Sequence, residues 1–158
     1  MRRSGLRVLP NNAKMHYNYA NFLRDTSNFN LAKHHYRKAL RLWPNYPSAW
    51  NNLGTIIDDD IDAQEQHFLT AIEFSDQHLN AHFNLGQLYR RSNRSSEQAR
   101  KMFEKCIQIS GSFVPAYLGL SKIQSGILSG ISLHKALKLN EESPIVRLEF
   151  ADWLYANS

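Results

Sequence analysis

The feature that most limits this chain is a pattern that returns three times. His16-Tyr17-Asn18-Tyr19-Ala20, Trp50-Asn51-Asn52-Leu53-Gly54 and His82-Phe83-Asn84-Leu85-Gly86 share one layout of bulky, polar and small positions. Their starts fall at 16, 50 and 82, so the spacings are 34 and 32 residues. Tyr117-Leu118-Gly119-Leu120-Ser121 is a looser fourth copy. Each opening is followed downstream by a bulky residue and, three positions later, a small one. These pairs are Tyr36 with Ala39, Phe68 with Ala71, Phe103 with Cys106, and a shortened Leu133 with Ala136. Pro44 closes the first copy where a helix must stop, since proline donates no hydrogen bond and collides with the turn before it. A unit of this length cannot bury its apolar face alone, so copies must stack on one another. The small residues Ala20, Ala39, Gly54, Ala71, Gly86 and Cys106 mark where two helices come closest.

A period near 34, with a bulky-x-x-Leu-Gly opening, then Phe-x-x-Ala, then Pro, resembles the tetratricopeptide repeat (TPR) signature. It predicts an all-α chain, a right-handed superhelical solenoid of antiparallel helix hairpins with about four repeats and partial repeats at both ends. Residues 1–12 read as the end of a preceding repeat, because Pro10 sits 34 residues before Pro44. Repeats then span 13–46, 47–78 and 79–113, a degenerate one spans 114–143, and 144–158 is the first helix of a further repeat. Nine helices follow from this map. Asp62-Ala63-Gln64-Glu65 and Ser95-Ser96-Glu97-Gln98 match capping boxes that start two of them. Ser143-Pro144 starts the last, with proline in its favoured first-turn place. Trp50, Leu53, Gly54 and Ile57 are expected to share the buried stripe of the second copy. Neither end carries the polar capping helix of a complete solenoid, which predicts a piece of a longer chain.

Composition narrows the function. The formal net charge of +5 is modest, and the basic residues are scattered apart from Arg2, Arg3 and Arg7 and from Arg90, Arg91 and Arg94. The aromatics fall at helix-core spacing and do not interleave with Lys and Arg as a nucleic-acid surface requires, so no nucleic-acid partner is expected. Cys106 is the single cysteine, which rules out an intramolecular disulfide and reads as a buried, inert thiol. No run of roughly 18 apolar residues offers a membrane span, and no apolar stretch follows the N-terminal arginines as in a signal peptide. There is no Gly-rich phosphate loop and no Ser/His/Asp arrangement, so neither a cofactor nor catalytic residues are expected. Metal is not expected either. Asp58, Asp60 and Asp62 alternate like a calcium loop, but no glycine follows and Leu69 stands where the closing glutamate belongs. His78 and His82 lack a third ligand, and the adjacent His34 and His35 point to different faces. Asn93-Arg94-Ser95 is a glycosylation sequon of the kind that arises by chance in an Asn- and Ser-rich chain.

The stretch from Ser4-Gly5-Leu6-Arg7-Val8-Leu9-Pro10 through Asn18-Tyr19-Ala20-Asn21-Phe22-Leu23 closely resembles the transmembrane and TPR-containing (TMTC) protein O-mannosyltransferases of the endoplasmic reticulum. So do His35-Tyr36-Arg37, Asn51-Asn52-Leu53-Gly54-Thr55 and the shortened connection at Asp58–Asp62. The likeness is strongest in the first 57 residues and fades after about Val114. It implies a membrane region elsewhere that transfers mannose from dolichyl-phosphate mannose to Ser or Thr of cadherin-type domains, with the TPR array in the lumen. No residue of this chain matches the catalytic part of such an enzyme.

A binding face follows from helix geometry, since first helices of TPR hairpins line the concave side. Three polar stripes result: Lys14, Asn18, Asn21 and Asp25; Ser48, Asn52, Thr55 and Asp59; and Asn80, Asn84, Gln87 and Arg91. Asn18, Asn52 and Asn84 occupy one place in successive copies. A primary amide donates and accepts, so such a ladder can pair with an extended peptide backbone without reading side chains. It resembles the asparagine ladder of O-GlcNAc transferase. The same asparagines also fit as plain TPR surface or as caps on a neighbouring carbonyl. The expected partner is thus an extended or folded polypeptide, a cadherin-type acceptor if the family likeness holds. The alternative is a cytosolic TPR adaptor. The adaptor type that clamps a terminal carboxylate needs a Lys where Tyr17, Asn51 and Phe83 stand.

Overall fold

The structure, a computed structural model, describes residues 12–57, 60–92 and 95–157. Among them every regular element is an α-helix: α1 (Ala13–Asp25), α2 (Phe29–Leu42), α3 (Pro47–Gly54), α4 (Ile61–Phe74), α5 (Leu79–Arg91), α6 (Ser96–Ile109), α7 (Val114–Ser121), α8 (Gly126–Leu139) and α9 (Pro144–Asn157). The segment read as 1–12, apart from Asn12, lies outside the described residues, as do Asp58, Asp59 and the Asn93-Arg94 part of the sequon. The chain divides into two compact units, Met1–Ala81 and His82–Ser158.

In the first unit, α1 opens on Asn12, whose side chain accepts from the Met15 amide at 3.0 Å and satisfies one orphan donor of the first turn. The helix ends in a tight turn in which Ser27 takes a left-handed φ of 58° and the Asn28 amide donates back to the Leu23 carbonyl at 2.7 Å. That reversal lays α2 against α1. Ala20 and Leu23 of α1, Ala32, Tyr36 and Leu40 of α2, and Ala49, Leu53 and Ile56 of the next repeat form one buried cluster. The absence of a side chain at Gly54 is required: a Cβ there would lie 2.7 Å from the Phe68 ring. The atoms nearest to such a Cβ belong to the Phe68 ring and the His67 Cβ of α4.

Two sequence expectations shift here. Of the expected stripe, Leu53 and Gly54 are buried, beside Ala49, Asn51 and Ile56, and Ile57 is half-buried. Trp50 was expected in the core, yet it packs half-buried against it. The physical reason is its polar edge: the indole N–H donates to the Pro44 carbonyl at 2.8 Å, which holds the ring at the hairpin boundary against His67. The cap of α4 also moves by two residues. Asp60, not Asp62, accepts from the Ala63 amide at 2.8 Å, and Asp62 lies inside the first turn, where a carboxylate suits the positive end of the helix.

In the second unit, Ser95 caps α6 as its sequence predicts, accepting from the Gln98 amide at 3.1 Å. Phe103 is fully buried between two glycines: a Cβ at Gly86 would approach its ring to 2.8 Å and one at Gly119 to 2.7 Å. Cys106, three residues on, is also fully buried, and burial pushes its thiol up to about 12. Such a thiol has no thiolate to react with at neutral pH. The last helices pack through small residues. The Ser129 hydroxyl donates to the Ser121 carbonyl at 3.0 Å, and Gly130 lies under the Trp153 indole, whose N–H donates to Gly126 O at 3.1 Å. The outer sides of α8 and α9 are apolar, with Ile127 78% and Ile145 64% exposed.

Candidate functional site

The three polar stripes do not stay alike once folded. In the first, Lys14 and Asn18 are exposed, and Asn18 makes no hydrogen bond with a described residue. Asp25 is exposed and pairs with the neighbouring Arg24 at 2.8 Å, while Asn21 is half-buried. In the second, the Ser48 hydroxyl lies 3.3 Å from His78 Nε2, and the Thr55 hydroxyl donates to the Asn52 carbonyl at 2.8 Å. Asp59 falls outside the described residues. In the third, Asn80 and Arg91 are exposed, Asn84 and Gln87 are half-buried, and Gln87 accepts from Arg90 Nε at 3.0 Å.

Asn52 is the member that the fold engages most. Its amide nitrogen donates to Asn21 Oδ1 at 2.9 Å and to the Tyr17 hydroxyl at 3.2 Å, and its oxygen accepts from Asn51 Nδ2 at 3.1 Å. Asn21 Oδ1 also accepts from the Tyr36 hydroxyl at 2.5 Å. Tyr36 is fully buried, and burial pushes its hydroxyl up to about 12, so it stays a donor over the whole neutral range. Tyr17, Asn21, Tyr36 and Asn52 tie α1 and α2 of one repeat to α3 of the next. An incoming peptide that takes the Asn52 amide must therefore displace internal bonds. The members exposed to solvent are Lys14, Asn18, Asp25, Thr55, Asn80 and Arg91.

Sequence reasoning put Asn21 and Asn52 on separate polar stripes and missed their tie through Tyr36. A signal was present. The ring position that holds Phe68 and Phe103 in later copies holds a tyrosine in the first, and a buried phenol needs a partner. At the position of Asn21, those later copies carry Thr55 and Gln87.

A second polar pairing lies part-buried between α1 and α2. His16 Nδ1 lies 2.9 Å from His35 Nδ1 with the rings stacked, one nitrogen donating and the other accepting. Burial above all, then the neighbouring His16, lowers His35 to about 4, so it is neutral at physiological pH. Among the described residues no group of three or more His, Cys, Asp or Glu side chains is placed to hold a metal ion. No helix among them is long and apolar enough to cross a membrane.

Comparison with known proteins agrees with this architecture. The family model for the tetratricopeptide repeat matches residues 13–46 and 79–113. Human protein O-mannosyl-transferase TMTC1 is 55% identical over 62 residues, which take in 39% of this chain and 7% of that protein. Human protein O-mannosyl-transferase TMTC3 is 24% identical over 154 residues, 87% of this chain and 16% of that protein. The chain thus spans a small part of the length of these relatives. Among solved structures, the APC/C component complex Cut9–Hcn1 superposes with a TM-score of 0.86 over 97% of this chain and 32% of that one, at 15% identity. MamA superposes with a TM-score of 0.78 over 89% of this chain and 85% of that one, at 23% identity. The first TPR domain of Spaghetti (RPAP3), solved with an HSP90 peptide, reaches 0.67 over 70% of this chain and 89% of that one, at 18% identity. At such identities the structural likeness speaks for fold alone. The chain has the fold of tetratricopeptide-repeat arrays, matches their family model in two segments, and resembles the TMTC protein O-mannosyl-transferases.

Proposed function

We propose that this chain is the substrate-presenting TPR segment of a protein O-mannosyltransferase of the endoplasmic reticulum, placed in the lumen and holding cadherin-type acceptors. The observation that carries the reading is the 55% identity to TMTC1 over 62 residues. In this reading the mannose comes from dolichyl-phosphate mannose, and the transfer is performed by a membrane region outside these residues. What the chain contributes is position: a polypeptide held along the first helices brings its hydroxyls to the enzyme at high effective concentration. The exposed amides of Asn18 and Asn80 and the charge of Lys14 are the groups offered to it without cost to the fold. Two amide contacts at about 1 kcal/mol each fall well short of the roughly 4 kcal/mol of a millimolar complex. The groove is therefore a weak holder that works together with another contact.

The adaptor alternative has less support, because a carboxylate clamp needs an exposed lysine where Asn51 is buried in α3. The test is surface plasmon resonance with the chain immobilised and two analytes, a cadherin domain and a fibronectin type III domain of similar size and charge. The cadherin domain is expected to bind several-fold more tightly, and Asn18→Ala with Lys14→Ala to reduce that binding by about tenfold. Equal affinity for the two domains overturns the reading.

A further inference from the structure

The first unit carries a concavity that the polar stripes do not use. Arg37, Leu40 and Arg41 of α2, Trp50 and Leu53 of α3, and His67 of α4 line a cavity of about 380 Å³. Around α3, at about 100° per residue, Trp50 and Leu53 lie roughly opposite Ser48, Asn52 and Thr55. The cavity therefore opens away from the stripe and is a separate site. Its volume is at the lower end of the range of about 300–1,000 Å³ found for ligand sites, enough for one side chain with its flanking backbone.

Its chemistry is two-sided. Leu40 and Leu53 are nearly fully buried and make an apolar floor. The Trp50 indole spends its one donor on Pro44 O, so the ring offers the cavity only apolar surface. His67 Nδ1 donates to the Ala63 carbonyl, which leaves Nε2 as an acceptor. Over this floor stand Arg37 and Arg41, one turn apart on α2. Both are exposed, and neither makes an ion pair or hydrogen bond with a described residue. The rest of α2 adds to the same sign. It carries Lys33 and Lys38 as well and no aspartate or glutamate. Two unpaired guanidinium forks at the rim of an apolar floor fit a carboxylate beside an apolar side chain, since a fork pairs with a carboxylate in two parallel hydrogen bonds.

We propose that this cavity is a docking site for an acidic segment of a partner polypeptide, with one bulky apolar side chain on Leu40, Leu53 and Trp50 and adjacent carboxylates on Arg37 and Arg41. It is a second handhold, independent of whether the polar stripes hold a peptide, and its failure would leave the reading of the stripes untouched.

The experiment uses the full chain, labelled with ¹⁵N, and a blocked pentapeptide of leucine with two glutamates on each side. The indole N–H signals of Trp43, Trp50 and Trp153 report three different places. The Trp50 signal is expected to move on titration while that of Trp153 stays. Arg37→Glu with Arg41→Glu is expected to weaken binding at least tenfold, and Lys101→Glu, a charge change of the same kind on α6, to leave it unchanged. Raising salt from about 0.05 M to about 0.5 M is expected to weaken it too, since the Debye length falls from more than 10 Å toward about 4 Å. Replacing the peptide's leucine by glycine is expected to abolish the Trp50 shift. Binding that survives the double arginine change, glycine and leucine peptides that bind alike, or inorganic phosphate that binds as tightly as the peptide would each overturn the proposal.

Discussion

The first repeat and the last pair of helices use the same hairpin and hold it together differently. Between α1, α2 and α3, the contact is directional: a buried phenol, two asparagine amides and a second tyrosine exchange hydrogen bonds at 2.5 to 3.2 Å. Between α8 and α9, the contact is a fit of shapes, a Trp153 ring over Gly130 with one hydrogen bond at its edge. The outer surfaces differ as well. Besides its exposed Phe22, α1 presents Lys14, Asn18, Arg24 and Asp25 to solvent or its rim, whereas Ile127, Leu128, Ile131, Ile145 and Leu148 of α8 and α9 are each at least 60% exposed. An apolar contact accepts several registers of nearly equal energy, while a hydrogen-bonded one penalises every register but its own. The front of the chain is thus held by directional hydrogen bonds, and the back by a fit of shapes.

The largest expected effect sharpens the shape-fit side of this contrast. Gly130→Ala places a methyl group inside the Trp153 indole, so one helix must move, and overpacking of this kind costs about 1–3 kcal/mol. Denaturant titration, read at the midpoint, is expected to show that loss. A cost near zero would mean that α9 adjusts freely and that the fit is not specific.

Tyr36→Phe tests the directional side and is expected to cost about 1–2 kcal/mol, because the ring remains while Asn21 Oδ1 loses its shortest donor. The informative measurement is a double-mutant cycle with Asn52→Ala. A coupling energy of at least about 0.5 kcal/mol is expected, since both side chains converge on the Asn21 oxygen. Strict additivity would break the claim that the network acts as one unit.

The smallest effect is the pH response of the same region. His35 is held near 4 in the folded chain, below its ordinary value near 6.5, so the unfolded chain binds the extra proton more readily. Its contribution to stability is fully present above about 6.5 and is lost as the pH falls from there toward about 4. Urea midpoints measured across that window are expected to fall for the native chain. In His35→Phe, which keeps a ring stacked near His16 and removes the titration, the decline is expected to be shallower; an unchanged decline would assign it to other groups.

The helical hairpins were legible because the period of the pattern is a property of the chain alone. Tyr36, Phe68 and Phe103 were readable as core for the same reason, since each lies on the inward side of a second helix. Trp50 was misjudged because apolar size suggested the core, while its N–H needed a carbonyl that only the folded turn supplies. The α4 cap was ambiguous in principle: alternating aspartates offer several acceptors, and packing of the helix decides which one reaches an amide. The Tyr36–Asn21–Asn52 tie was beyond reach for another reason. It joins residues 31 positions apart on different repeats, and periodicity says which residues are equivalent, not which ones meet.

That tie bears on what kind of object a repeat array is. Asn52 finds its acceptor only because the preceding copy carries Asn21 and Tyr36. Set behind a copy like its own, it would face Thr55 and Phe68 instead. The α1–α2 and α3–α4 hairpins are therefore not interchangeable beads but neighbours keyed to each other. An engineer who shuffles, duplicates or transplants them has to move the two together, and the order of repeats becomes inherited information in its own right.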